Sequence, residues 1–161
     1  MSERVIALRH AFDEAFRRAA HELADDRARL LRLRVGGDAY AFRLDEIASF
    51  AAARRIVPLA SAVPGLLGLA GLRGTLVPVY SLAALLGRAA DDEAPRWFVL
   101  CGGAEPVALA FARFEGYVET ARGELRGSVV QLDRRPHTLI SIPTLLASMS
   151  ASLVSAGPQE R

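Results

Sequence analysis

Lysine is missing from this 161-residue sequence, and cysteine occurs once. The 20 basic residues are therefore all arginine, set against 18 acidic ones. They are spread rather than massed: residues 1–34 hold eight Arg and six acids, and residues 35–161 hold twelve of each. A duplex binder needs uncompensated positive charge gathered on one face, and the linear order offers no such stripe. Aromatics are only 7% of residues and do not interleave with Arg as a base-stacking platform requires. Nucleic acid is thus not the expected partner, and a small-barrel nucleic-acid binder stands only as the alternative class. The lone Cys101 excludes an internal disulfide and a cysteine-built zinc site. Within Trp97-Phe98-Val99-Leu100-Cys101 it reads as a small buried hydrophobe. No apolar run reaches the roughly 18 residues of a membrane span, so no direct membrane insertion is expected. Met-Ser-Glu-Arg leads into an amphipathic stretch, not an apolar signal core, which predicts a cytoplasmic protein.

Catalytic constellations are also lacking. His10, His21 and His137 lie in unrelated contexts, none at metal-ligand spacing from another His, a Cys or an acid cluster. His10 and Glu14 stand at i,i+4, which reads as a solvated helix face. There is no G-x-S-x-G elbow, and Leu66–Gly74, though it carries Gly68, Gly71 and Gly74, lacks the Lys-Ser/Thr ending that grips phosphate. The expectation is a protein that is not an enzyme and needs no cofactor and no metal.

What is present begins with a helix over residues 1–29. Val5, Leu8, Phe12, Phe16, Ala19 and Leu23 recur at three- and four-residue spacing and form one stripe. Ser2 is a candidate N-cap. Such a helix either binds a partner or a second copy, or covers its own domain; the second is the expectation, because most amphipathic helices cover a core. From Leu30 the texture turns to short strands broken by Gly and Pro. Leu31–Val35 alternates, Gly36-Gly37-Asp38 supplies turn residues, and Tyr40–Leu44 alternates again, which predicts a hairpin. Further strands are expected at 55–59, 75–80, 97–101, 107–112, 128–132 and 137–142, with short helices at 81–86 and 143–149 and a flexible tail over 151–161. Val99-Leu100-Cys101-Gly102-Gly103 before an apolar strand echoes Leu33-Arg34-Val35-Gly36-Gly37. Two copies of one hairpin suggest two related small barrels.

The most distinctive stretch runs Pro64-Gly65-Leu66-Leu67-Gly68-Leu69-Ala70-Gly71-Leu72-Arg73-Gly74-Thr75-Leu76-Val77-Pro78-Val79-Tyr80-Ser81-Leu82. One charge, Arg73, sits in an apolar run among glycines, where it must pair with a carboxylate or carbonyl or point at a partner. Pro78 inside a strand suggests an edge or a bulge. The stretch resembles the signature of the CheW-like chemotaxis coupling proteins: a Pro, then Gly-Val-x-Asn-Leu-Arg-Gly, then a strand holding Pro, then Asp-Leu and a short helix. Tyr40–Phe50, Val107–Phe111 and Thr138–Leu146 resemble the family's flanking segments, so that the likeness covers about residues 30–149.

The resemblance implies an all-β fold of two five-stranded SH3-like barrels side by side, with the first helix added. It implies an adaptor joining the cytoplasmic tip of a chemoreceptor to the regulatory domain of a CheA-type kinase, or to another CheW-like protein, at receptor clusters. Carried over by position, Ile47 and Arg73 influence receptor coupling, with Gly71 and Gly74 flanking Arg73, Ser49 beside Phe50, and Phe50 and Tyr117 as apolar candidates for a groove. Departures are Gly71 for the usual Asn, Ser49 for Glu, Ser81 and Ala112 for Asp, and only 18 residues from Thr120 to His137. That shortening is expected to remove a strand or loop. The reading is then a divergent coupler with reduced, lost or altered kinase docking, similar to accessory CheW-like proteins such as those of the Frz system of gliding bacteria. A mimic of the kinase's own regulatory domain, acting as a scaffold, is the remaining alternative.

Overall fold

The computed structural model describes residues 3–155. Ser2, the side chain of Leu23 and the tail from 156 lie outside the described residues. Helix α1 (Glu3–Asp25) is followed by β1 (Arg27–Val35), β2 (Asp38–Arg43), β3 (Ser49–Ala52), β4 (Ile56–Pro58), β5 (Leu66–Leu72), β6 (Thr75–Ser81) and α2 (Leu82–Leu85). The second half holds β7 (Trp97–Cys101), β8 (Val107–Phe111), β9 (Arg113–Ala121), β10 (Val129–Leu132), β11 (Arg135–Ile140) and α3 (Ile142–Ser155).

The strands form a five-stranded sheet of order β10-β11-β2-β1-β9 and a six-stranded sheet of order β3-β7-β8-β6-β5-β4. The expected hairpin is β1–β2, turning on Gly36 and Gly37, both at positive φ. Its echo is β7–β8, and the two hairpins hold equivalent places. In the first sheet β10–β11 is antiparallel, β11 runs parallel to β2, and β1 pairs antiparallel with β9. In the second, β5–β6 is antiparallel, β6 runs parallel to β8, and β7 pairs antiparallel with β3. The two sheets are thus one pairing pattern used twice, with β4 as an extra strand. Both halves of the chain contribute to both sheets: β1 and β2 join β9, β10 and β11 in the first, while β3–β6 join β7 and β8 in the second, so that β3 and β9 are edge strands contributed from opposite halves. The helices obey the same repeat. Ser81 Oγ accepts the N–H of Ala84 at 3.3 Å to start α2, and Ser141 Oγ accepts that of Thr144 at 3.4 Å to start α3.

Each sheet encloses a small core, Leu30, Ala41, Val130 and Leu132 in one and Val77, Val79, Phe98 and Ala108 in the other. A larger core between them joins Leu31, Leu33, Phe42, Val99, Leu109, Ile140 and Ile142. Trp97–Cys101 is buried on both faces as expected, because β7 lies between these cores. Glu46 ties the parts together: its Oε2 accepts the N–H of Ile142, the first residue of α3, at 3.1 Å.

Four expectations change. The first helix does not cover a core: every residue from Arg4 to His21 is exposed. Pro78 is in neither an edge strand nor a bulge of its own; β6 is internal, but its pairing with β8 begins only at Val79, so Pro78 meets just one neighbouring strand. The short Thr120–His137 interval removes no strand from its sheet, which keeps five. Residues 151–155 continue α3 instead of starting a tail.

Candidate functional site: an aromatic groove beside an arginine turn

The edges of the two sheets meet through aromatic rings. Phe50 on β3 stacks on Trp97 with ring centroids 5.1 Å apart and touches Phe114 on β9 at 4.7 Å. Phe114 meets Tyr117 at 5.2 Å, and Phe50 meets Tyr117 edge-on at 6.2 Å. Tyr117 is 56% exposed, so the cluster reaches from the central core to solvent. Phe114 and Tyr117 are three residues apart and would face opposite sides of a regular strand. A register shift in the β1–β9 pairing sets Phe114 against Leu33 and Tyr117 against Leu31, which are two apart and share a face.

Phe50 also lines a cavity of about 230 Å³ together with Ser49, Ala51, Arg54, Gly71, Leu72, Arg73, Phe98 and Leu100. β3 and β5 stand first and fifth in their sheet. Only its curl into a half-barrel brings Ser49 and Phe50 across to Gly71 and Arg73. Arg73 and Gly74 form the β5–β6 turn with φ of 50° and 76°. A non-glycine residue in that region is costly, by about 1–2 kcal/mol. Arg73 is exposed and makes no hydrogen bond or ion pair among the described residues. Arg54 likewise stands exposed, and no carboxylate lines the cavity, so its rim is positive.

The seven candidates therefore separate. Ser49, Phe50, Gly71 and Arg73 line one cavity, Gly74 completes the turn beside it, and Tyr117 adjoins it through the aromatic cluster. Ile47 is not among them: it is half-buried against the central core, just after a 3-10 turn at Leu44–Glu46. Trp97, Phe111 and Phe114 belong to the cluster but were not singled out from the sequence. Trp97 and Phe111 looked like ordinary strand residues, and the register shift hid the shared face of Phe114 and Tyr117.

Residues 29–148 match the CheW-like domain family. The chain belongs to that family. In three dimensions its CheW-like domain is similar to the scaffolding protein TtCheW from Thermoanaerobacter tengcongensis, with a TM-score of 0.64 at 12% identity, over 73% of this chain and 86% of that one. No curated protein matches by sequence. The likeness agrees with the two sheets as two SH3-like barrels. The family is one of scaffolds rather than enzymes. α1 precedes the matched residues.

The described residues hold no cluster of three His, Cys, Asp or Glu side chains fit for a metal ion. Burial pushes the Cys101 thiol up to about 12, which keeps it protonated and unreactive. Among the described residues no helix is long and apolar enough to cross a membrane.

Proposed function

We propose that this chain is a coupling adaptor of a chemotaxis-like pathway, whose aromatic groove and arginine turn receive the helical cytoplasmic tip of a chemoreceptor. The observation that carries the reading is Arg73: a cation in a left-handed turn, without a partner of its own, at the mouth of a cavity that ends on exposed aromatic surface. A strained backbone around an unpaired charge stabilises nothing within the fold, and it suits a contact made elsewhere. An amphipathic helix laid in such a groove would set apolar side chains on Phe50 and Tyr117 and a carboxylate near Arg73 and Arg54. The setting is cytoplasmic, at receptor clusters.

Kinase docking is altered rather than lost in this reading. The second sheet ends on β4, and Val57, Leu59 and Leu76 stand exposed on its outer part, which suits strand-edge docking of a kinase regulatory domain or another CheW-like protein. Two departures from the family pattern are structurally mild: Ser81 caps α2, a role that Asp also fills, and Ala112 is simply buried. The nucleic-acid alternative has less support, because Arg27, Arg32, Arg34, Arg43, Arg88, Arg113 and Arg122 are each within 4 Å of a carboxylate. A scaffold that mimics the kinase domain would bind receptor but not kinase.

The test is a pair of titrations of the purified chain, against a receptor cytoplasmic fragment and against the kinase regulatory domain. Receptor binding weakened about tenfold in Arg73→Ala, with circular dichroism unchanged, supports the groove. Binding to neither partner removes the coupling function and leaves only the fold.

A further inference from the structure

α1 spends 23 residues on a stripe that buries nothing among the described residues. Val5, Leu8, Phe12 and Phe16 are 58%, 76%, 71% and 69% exposed and lie on one helical face. A continuous exposed apolar strip of this kind marks an interface. The charges along the helix indicate which one. Its first third carries Arg4 and Arg9 against the single acid Glu3, a net charge of +1; after Arg18 the charged residues of its sequence are Glu22 and Asp25, a net charge of −2, and the last turn has no basic residue. An isolated helix favours the reverse order, with acids near the positive N-terminus and bases near the negative C-terminus. Two copies running antiparallel remove the conflict. Each basic end then lies beside the other's acidic end, the dipoles oppose, and Phe12 of each helix meets Phe16 of the other. A twofold interface requires a patch complementary to itself, and this strip is complementary to itself only when antiparallel.

We propose that α1 pairs antiparallel with α1 of a second copy, making a homodimer that carries its two CheW-like domains at opposite ends of the pair. Two helices of about 34 Å each would bury on the order of 1,000 Å², the low end of specific interfaces. The dimer is therefore expected to dissociate in the micromolar range. A bivalent adaptor of this form would bridge two receptor assemblies and gain avidity from both.

Sedimentation equilibrium of the full chain at low salt tests it. The wild type is expected to dimerise, and Phe12→Glu with Phe16→Glu to be monomeric with its β-sheet circular dichroism intact. Arg4→Glu with Arg9→Glu reverses one end and is expected to weaken the dimer about tenfold. Adding Glu22→Arg and Asp25→Arg to the same chain restores opposite charges in the antiparallel pair and should return the wild-type affinity. A parallel pair would ignore both reversals, since like ends face each other in every case. The proposal is overturned by a wild type monomeric at about 100 μM, by a dimer that survives the two Phe substitutions, or by a dimer indifferent to the single-end reversal. A wild-type monomer whose α1 binds the receptor fragment instead would assign the stripe to that partner and equally overturn it.

Discussion

Arg73 and Cys101 show how one residue can matter through what it does not do. Arg73 pairs with nothing, so Arg73→Ala should leave the urea midpoint almost unchanged while receptor affinity falls. A matching loss of stability would instead mean that the side chain serves the turn. Cys101 is 1% exposed and does not ionise until about pH 12, against an ordinary 9.0. A raised folded-state pKa contributes stability fully present below pH 9.0 and lost as pH rises toward 12, because the unfolded thiol ionises first. Wild type should therefore lose stability faster than Cys101→Ala across that window, by up to about 1.4 kcal/mol per pH unit. Urea titrations at three alkaline pH values measure the difference, and parallel slopes would show that the thiol is not desolvated. Glu46 is the residue-scale counterpart with structural work to do. Its bond to the Ile142 N–H holds α3 against the 3-10 turn, so Glu46→Ala should cost about 1–2 kcal/mol in a urea melt.

Among the elements, the β4–β5 contact depends on one missing side chain. Gly68 has φ of 151°, and a Cβ there would lie 2.1 Å from the Val57 carbonyl oxygen. Gly68→Ala should therefore separate β4 from β5 and cost about 2–3 kcal/mol. The β10–β11 turn holds the opposite case: Asp133 and Arg134 adopt φ of 48° and 63° where glycine would be at ease. Arg134→Gly should stabilise the chain by about 0.5–1 kcal/mol, read as a higher melting temperature. A drop would mean that the arginine makes a compensating contact. Three strands, β3, β5 and β9, were not legible as strands. β3 is four residues long, Gly68 and Gly71 interrupt the side-chain pattern of β5, and the register shift in β9 breaks the alternation that marks a strand.

At the scale of the whole molecule, the repeated Gly-Gly hairpin was a true trace of the architecture, since β1–β2 and β7–β8 occupy equivalent places in two sheets of one pattern. The amino-acid order alone determined the many short strands, the central hairpins and the amphipathic helix, because each follows from local periodicity or from turn chemistry within a few residues. It also determined the family likeness, through short segments in a fixed order. Tertiary structure decided the rest. It built each sheet from both halves of the chain and set the edges β3 and β9 side by side, so that Phe50 and Tyr117, 67 positions apart in sequence, came into ring contact. It curled the second sheet so that β3 faces the Arg73 turn, and it left α1 clear of both barrels. Long-range pairing of this kind depends on which distant apolar faces fill one another's space, and no window of sequence contains both faces.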